Sequence, residues 1–285
     1  MSEIKLENVS YVYGEDTPYE KHALTDVSAT IKSGAITGII GHTGSGKSTL
    51  VQMLNGLTKP MSGRVLLDGK DIWEDPKKIS EVRFRVGLVM QYPEYQLFDE
   101  TIRSDIAFGP KNMGLDKAEI ERRVLEAADF AGVDREWLDK SPFDLSGGQK
   151  RRAAIAGIIA MRPEVLVLDE PAAGLDPVGR KNIMEGLRAY RDKTGSSVVI
   201  VSHSMEDMAQ YCDDIIVISD GRVIAQGKKE EVFAQSDLLR SVGLDIPQIT
   251  LVMRMLSDNG IDVDTGIYTV DDAVNEIYGK IKGTI

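Results

Sequence analysis

Residues 4–13, "IKLENVSYVY", alternate apolar and polar positions with the period of a half-exposed strand, and "SGRVLLDGKDI" at 62–72 does the same. Three segments instead hold a continuous apolar run: "GAITGIIG" at 34–41, "EVLVLDE" at 164–170 and "SSVVIVSH" at 196–203. Short β-branched runs with no polar face predict strands buried on both sides, as in parallel sheets. Between them, "AEIERRVLEAADFAG" at 118–132 and "GRKNIMEGLRAYRDKTG" at 179–195 carry a helical pattern. Strands alternating with helices predict an α/β fold with a parallel core sheet, and the alternating strands near the start predict a smaller antiparallel sheet beside it.

After "VISDGRVIAQGKKEEVF", 217–233, the character changes. Residues 243–285 hold two amphipathic pieces, "IPQITLVMRMLSDNG" and "TVDDAVNEIYGKI", with seven acids against three bases. They predict a small helical extension following a body at 1–242. Its Leu/Met/Ile stripe reads as core, with a contact surface as the alternative.

Composition narrows the possibilities. The chain has 285 residues and is 42% hydrophobic, ample for a core. A formal charge of −11 argues against general nucleic-acid binding and against electrostatic attachment to an anionic membrane. The only cysteine, Cys212, excludes an internal disulfide and a thiolate zinc site, and suits a reducing cytoplasm. The longest apolar run, "AAIAGIIAM" at 153–161, is too short for a membrane span. A soluble chain is expected, held at a membrane only through another protein.

"GHTGSGKST", 41–49, follows a buried strand and opens a helix, and so satisfies G-x-x-x-x-G-K-[ST] in its strand–loop–helix context. Gly41, Gly44, Ser45 and Gly46 let the backbone bend so that N–H groups face phosphate oxygens, helped by the helix N-terminus. Lys47 is expected on the β- and γ-phosphates, Ser48 on Mg²⁺ and Thr49 on the α-phosphate. "VLVLDE", 165–170, ends a strand in two carboxylates, which belong beside that loop at the carboxyl end of the sheet. Asp169 is a candidate for Mg²⁺, and Glu170 for orienting or deprotonating the attacking water. A bare turn cap before Pro171 is the plainer alternative.

"LSGGQ", 145–149, precedes "KRRAAIAGIIAM", so Ser146, Gly147 and Gly148 stand at a second helix N-terminus suited to an anion. Lys150, Arg151 and Arg152 lie at the wrong end of that helix for its dipole. Either a solvated face or offsetting acidic partners accounts for them, the solvated face being the reading for Lys150. Together with the phosphate loop, "VLVLDEP" and "GLDP" at 174–177, this segment resembles the ATPase subunits of ATP-binding-cassette (ABC) proteins over about residues 4–235.

That resemblance implies a P-loop NTPase cassette at 1–242, binding ATP and Mg²⁺ and working as a head-to-tail dimer. Ser146, Gly147, Gly148 and Gln149 would then meet the γ-phosphate held by the opposite subunit. His203 matches the switch histidine that couples to Glu170, and Asp176 matches the loop crossing the dimer. Tyr13 matches the aromatic that stacks on adenine, with Tyr11 the competitor. Gln91, ending the strand-like run in "VGLVMQYPEYQLF", matches the glutamine that reaches Mg²⁺ and the attacking water and leads into a helical subdomain at about 92–160. That subdomain normally docks a helix of a membrane partner. Tyr92, Tyr95, Leu97 and Phe98 supply apolar surface for it, one or two of them packing inside. His22 and His42 receive no role. Ala172 stands where the family often has Thr or Ser, without loss of a phosphate or metal ligand.

"QYPEYQLF", "DIAFGPKNMG", "SPFDLSGGQKRRAAIAGIIAM" and the tail from "GLDIPQIT" resemble a narrower group, the ATPases of energy-coupling-factor (ECF) importers of vitamins and of cobalt or nickel. The likeness is closer to the second of the two vitamin-type ATPases. It implies a peripheral subunit on the cytoplasmic face of the membrane, paired with a second ABC ATPase in a homo- or heterodimer. Its other partners would be a transmembrane coupling protein and a substrate-binding membrane subunit. The 243–285 extension would aid dimerisation. The alternatives are the ATPase of another ABC transporter and a soluble ABC protein.

Overall fold

The computed structural model describes residues 2–282. In chain order, β1 (Ile4–Tyr13) and β2 (Lys21–Ile31) form a hairpin, and β3 (Ile36–Ile40) runs through the glycine loop into α1 (Lys47–Leu54). β4 (Ser62–Leu67) and β5 (Lys70–Asp71) come next, then α2 (Ile79–Arg85), β6 (Val86–Val89), α3 (Ile102–Asn112), α4 (Lys117–Ala131) and α5 (Gly147–Ile159). β7 (Val165–Asp169), α6 (Pro177–Thr194), β8 (Ser197–Val201), α7 (Met205–Tyr211), β9 (Asp214–Ser219) and β10 (Arg222–Lys228) complete the body. α8 (Lys229–Ala234), α9 (Ser236–Ser241), α10 (Gln248–Asp258) and α11 (Val270–Lys282) follow.

The strands form two sheets, in the orders β2-β1-β4-β5 and β10-β9-β3-β8-β7-β6. The first is antiparallel; the second is parallel from β9 to β6, with β10 an antiparallel edge. β3, β7, β8 and β9 are buried at every position, as their apolar runs require. Their side chains alternate between two cores. Ile36, Leu166, Leu168, Val198, Ile200 and Val217 face the helices, while Ile39, Val165, Val167, Val199 and Ile216 face α1 and the antiparallel sheet. Leu50, Val51, Met53 and Leu54 of α1 are packed into that second core, so the helix after the glycine loop is clamped between the sheets.

The segment 62–72 is a hairpin rather than one strand. Asp68 (φ 53) and Gly69 (φ 77) make the positive-φ pair of a tight turn that matches strand twist. α3, α4 and α5 pack as a helical layer, and their apolar faces (Ile102, Val124, Ile155) share a core with the parallel sheet.

In the extension, Leu244 and Ile246 are buried with the main core, and a separate small core begins at Ile249, around Met253, Val263 and Ala273. Tyr268 packs its ring on Phe233 and donates its hydroxyl to the Glu230 carbonyl at 3.2 Å, and Arg254 donates to Ser236, so the extension is clasped onto α8 and α9. The apolar stripe divides. Val252, Met255, Val270 and Val274 are exposed, while Ile249, Met253 and Leu256 turn inward. Among the described residues, no helix is long and apolar enough to cross a membrane.

Candidate functional site

The glycine loop is shaped by contacts that exclude side chains. Gly46 stands at φ 106 before α1, where a Cβ would lie 2.5 Å from the Ala23 carbonyl oxygen, and a Cβ on Gly41 would come within 2.3 Å of the Ile218 oxygen. No side chain caps α1, so its first-turn N–H groups remain free to face an anion. Lys47 is buried, and its ammonium donates to the Gly41 and His42 carbonyls at 2.7 and 2.9 Å. Burial pushes its pKa down, against the pull of Glu170 and Asp169. Ser45 is fully buried, and its Oγ has no hydrogen-bond partner among the described residues.

Tyr13, Lys21, Ala23, Gly44, Gly46, Lys47, Ser48 and Thr49 line a cavity of about 150 Å³. Tyr13 is half exposed at its rim, with its hydroxyl 3.2 Å from Thr49 Oγ1, whereas Tyr11 packs into the core beneath. Of the two tyrosines, Tyr13 is the one that can offer a ring face to a base.

The carboxylates arrive from the next strands. β7 ends at Asp169, opposite Val201 of β8, which leads to His203. Asp169 is buried, and burial raises its pKa, opposed by a hydrogen bond with Ser48 and by the charges of Lys47 and His203. Glu170 follows at φ 54, its N–H donating to the Val201 carbonyl at 3.0 Å. Burial, then the neighbouring Asp169 charge, push Glu170 up to about 7. His203 Nε2 lies 3.4 Å from Glu170 Oε1, an oxygen with no hydrogen-bond partner among the described residues. Burial and Lys47 hold the His203 pKa down. Arg180, unmarked in the sequence, pairs with Asp207 at 2.6 Å and adds positive field at Glu170.

Ser48 and Asp169 are adjacent hard oxygen donors, the set that suits a small hard cation completed by phosphate oxygens and water. Among the described residues no cluster of three or more His, Cys, Asp and Glu would hold a metal alone. Gln91 leaves the carboxyl end of β6, whose Val89 is opposite Leu168. It is exposed, and no hydrogen bond joins it to Ser48 or Asp169 among the described residues.

The segment 146–149 is not brought to the phosphate loop of its own chain by any hydrogen bond among the described residues. Ser146 caps α5, accepting from Gln149 N–H at 3.4 Å, while the Gln149 side chain accepts from Ser146 N–H at 2.8 Å. Gln149 is thereby occupied by a capping box, a role its S-x-x-Q spacing could have announced. Asp176 caps α6 through Gly179 N–H at 2.6 Å. Arg151 is buried against Glu94, an acidic partner, while Lys150 is half-buried over the Phe143 ring. Tyr92, Tyr95 and Phe98 are exposed, and Leu97 packs inward.

Residues 24–173 match the family described as ABC transporter. An energy-coupling factor transporter ATP-binding protein EcfA2 of Clostridium tetani is 51% identical over 275 residues, covering 96% of each chain. The chain belongs to the ABC transporter family. Within that family it is an ATP-binding subunit of the energy-coupling-factor type, an ATPase that energises transport. The structure of cbiO1 from Clostridium perfringens, described as part of the ABC transporter complex cbiONQ, is 42% identical with a TM-score of 0.74, covering 88% of this chain and 98% of that one. A dimeric ATP-binding cassette in a post-hydrolysis state, bound to ADP and Pi, is 29% identical with a TM-score of 0.72, covering 79% of this chain and 98% of its own.

Proposed function

We propose that the chain hydrolyses ATP as one half of a head-to-tail pair of cassettes docked on the cytoplasmic side of a transmembrane coupling protein. A substrate-binding membrane subunit would then import a vitamin, cobalt or nickel. Gly44, Gly46 and the free N–H groups of α1 receive the phosphates, Lys47 turns its ammonium from its own loop carbonyls to the β- and γ-oxygens, and Tyr13 stacks on adenine. Ser48 and Asp169, with Gln91 swung in, would hold Mg²⁺, which supplies charge neutralisation on the phosphates. Glu170 takes the proton of the attacking water, with His203 keeping its carboxylate aimed. Ser146, Gly147 and Gly148 offer backbone N–H groups to the nucleotide of the opposite cassette, and Asp176 crosses between the two. The cassette is residues 1–242, and 243–285 adds to the dimer contact through its exposed apolar face.

The observation that carries this reading is the convergence of Asp169, Glu170 and His203, from adjacent strand ends, on the buried lysine of the glycine loop. The likeness to a dimeric cassette bound to ADP and Pi supports the pairing, and the likeness to cbiO1, described as part of the cbiONQ complex, supports the docking. The test is purification of the tagged chain from detergent-solubilised membranes, wild type beside Glu170→Gln. A stoichiometric second ABC ATPase, one coupling protein and small membrane proteins, with ATP retained but not hydrolysed by the variant, are expected. Hydrolysis surviving in the variant removes Glu170 from its role, and recovery without any membrane protein removes the docking.

A further inference from the structure

Arg151 stands in the third position after the glycine pair of α5, yet it is only 5% exposed. Its Nε donates to Glu94 Oε2 at 3.0 Å and its Nη2 to Glu94 Oε1 at 2.7 Å, a bidentate pair. The remaining nitrogen, Nη1, donates to the Ala173 carbonyl. The Tyr92 ring centre lies 5.9 Å from the guanidinium carbon. These partners belong to different segments of the proposed site. Tyr92 and Glu94 follow Gln91, with Glu94 in the 3₁₀ turn Pro93–Gln96. Ala173 closes the turn after Glu170, its N–H donating to the Glu170 carbonyl at 3.2 Å, and leads to Asp176. The start of α5 is packed on the same loop, since a Cβ on Gly148 would stand 3.1 Å from Leu175 Cδ2.

A buried ion pair is a poor way to add stability, because well-packed apolar residues do at least as well. What a bidentate guanidinium–carboxylate pair does well is fix distance and angle together. We propose that the Arg151–Glu94 pair is a strut that ties the loop after Gln91 to the Ser146–Gly148 turn and to the loop carrying Asp176, making Arg151 a positioning residue for hydrolysis. The position of the Gln91 loop in one subunit thereby sets the turn that subunit presents to its partner's nucleotide. The strut rests on the roles given above to Gln91 and Ser146–Gly148.

The test compares Arg151→Met, Arg151→Lys, Glu94→Gln and the Arg151→Met/Glu94→Gln double variant in the assembled transporter in proteoliposomes. A strut predicts that kcat falls by about 10- to 100-fold in each single variant, the cost of a small misplacement, while KM for ATP and the ATP Kd of the isolated chain stay within about twofold. The double variant should be no worse than the worse single one, because the pair acts as a unit. Lysine restores the charge but not the fork, so Arg151→Lys should not rescue. Unchanged kcat, rescue by lysine, or losses that multiply in the double variant would overturn the strut. Should Arg151→Met fail to fold, the isosteric Glu94→Gln carries the test alone. Gln91→Ala and Gly148→Asp serve as controls. If they too leave kcat unchanged, the underlying site reading fails; if they abolish turnover while Glu94→Gln does not, only the strut falls.

Discussion

α1 and α5 both begin on a serine–glycine turn, yet their first turns are finished in opposite ways. α1 follows an uncapped Gly46 at φ 106, beside buried Lys47 and Asp169, with Ser45 Oγ and Glu170 Oε1 lacking hydrogen-bond partners among the described residues. α5 follows Ser146, whose reciprocal box with Gln149 satisfies side chain and backbone within the same turn. Buried polar groups without partners are costly, so the first turn gains when a charged ligand arrives. The second is already at rest and has only the N–H groups of exposed Gly147 and half-buried Gly148 to offer. Under the proposal made above, one end is the chain's own reaction site and the other the surface offered to the opposite cassette's nucleotide.

That contrast breaks at definite places. Glu170→Gln should lower kcat by about 10²- to 10⁴-fold, read by phosphate release, without loss of ATP binding. Lys47→Ala should raise the ATP Kd by about 10- to 100-fold in equilibrium titration, the worth of charge-assisted hydrogen bonds; an unchanged Kd would mean α1 is not the primary anion site. Gly148→Val pushes a side chain onto Leu175 and crowds the α5 end. It should cost about tenfold in kcat yet leave the Kd of the isolated chain alone, and weaker binding in that chain would erase the distinction between the two ends. Removing residues 248–285 should weaken self-association by about three- to tenfold in sedimentation experiments and spare the fold. Cutting before Gly243 is a different experiment, because Leu244 and Ile246 fill the main core.

The smallest effect is on stability against pH, in nucleotide-free and metal-free protein. Glu170 titrates near 7 when folded and at 4.5 as an ordinary carboxyl. The folded chain therefore keeps a proton that the unfolded chain releases between those values, and stability from this group falls as pH rises from 4.5 to about 7, then levels. A Tm-versus-pH curve for Glu170→Gln should lack that component of the slope.

The sequence made the reaction end legible because its motifs are contiguous and each follows an apolar strand. "GHTGSGKST" and "VLVLDE" carry strand, turn and chemistry in one reading frame, and the structure brings them to the same end of the parallel sheet, with β8 between their strands. β2 is not announced by alternation, since Asp26 at φ 49 makes an irregularity and the inward positions run Leu24, Val27, Ala29. Arg151 showed only as one cation in a run of three, its acid lying 57 residues earlier in the chain. The divided stripe of the extension is equally invisible to periodicity, which marks an apolar face without telling which neighbour covers it.

Glu170 also sits in the left-handed backbone region, at φ 54, where a residue with a Cβ is held about 1–2 kcal/mol above its preference. Its carboxylate is buried against Asp169 as well, so backbone and charge are both displeased by the same position. Glycine there would relax both complaints and remove the carboxylate proposed above as the base. A library of this chain selected only for heat resistance should therefore drift toward Glu170→Gly, whereas selection for hydrolysis should hold glutamate there if it has the role proposed above.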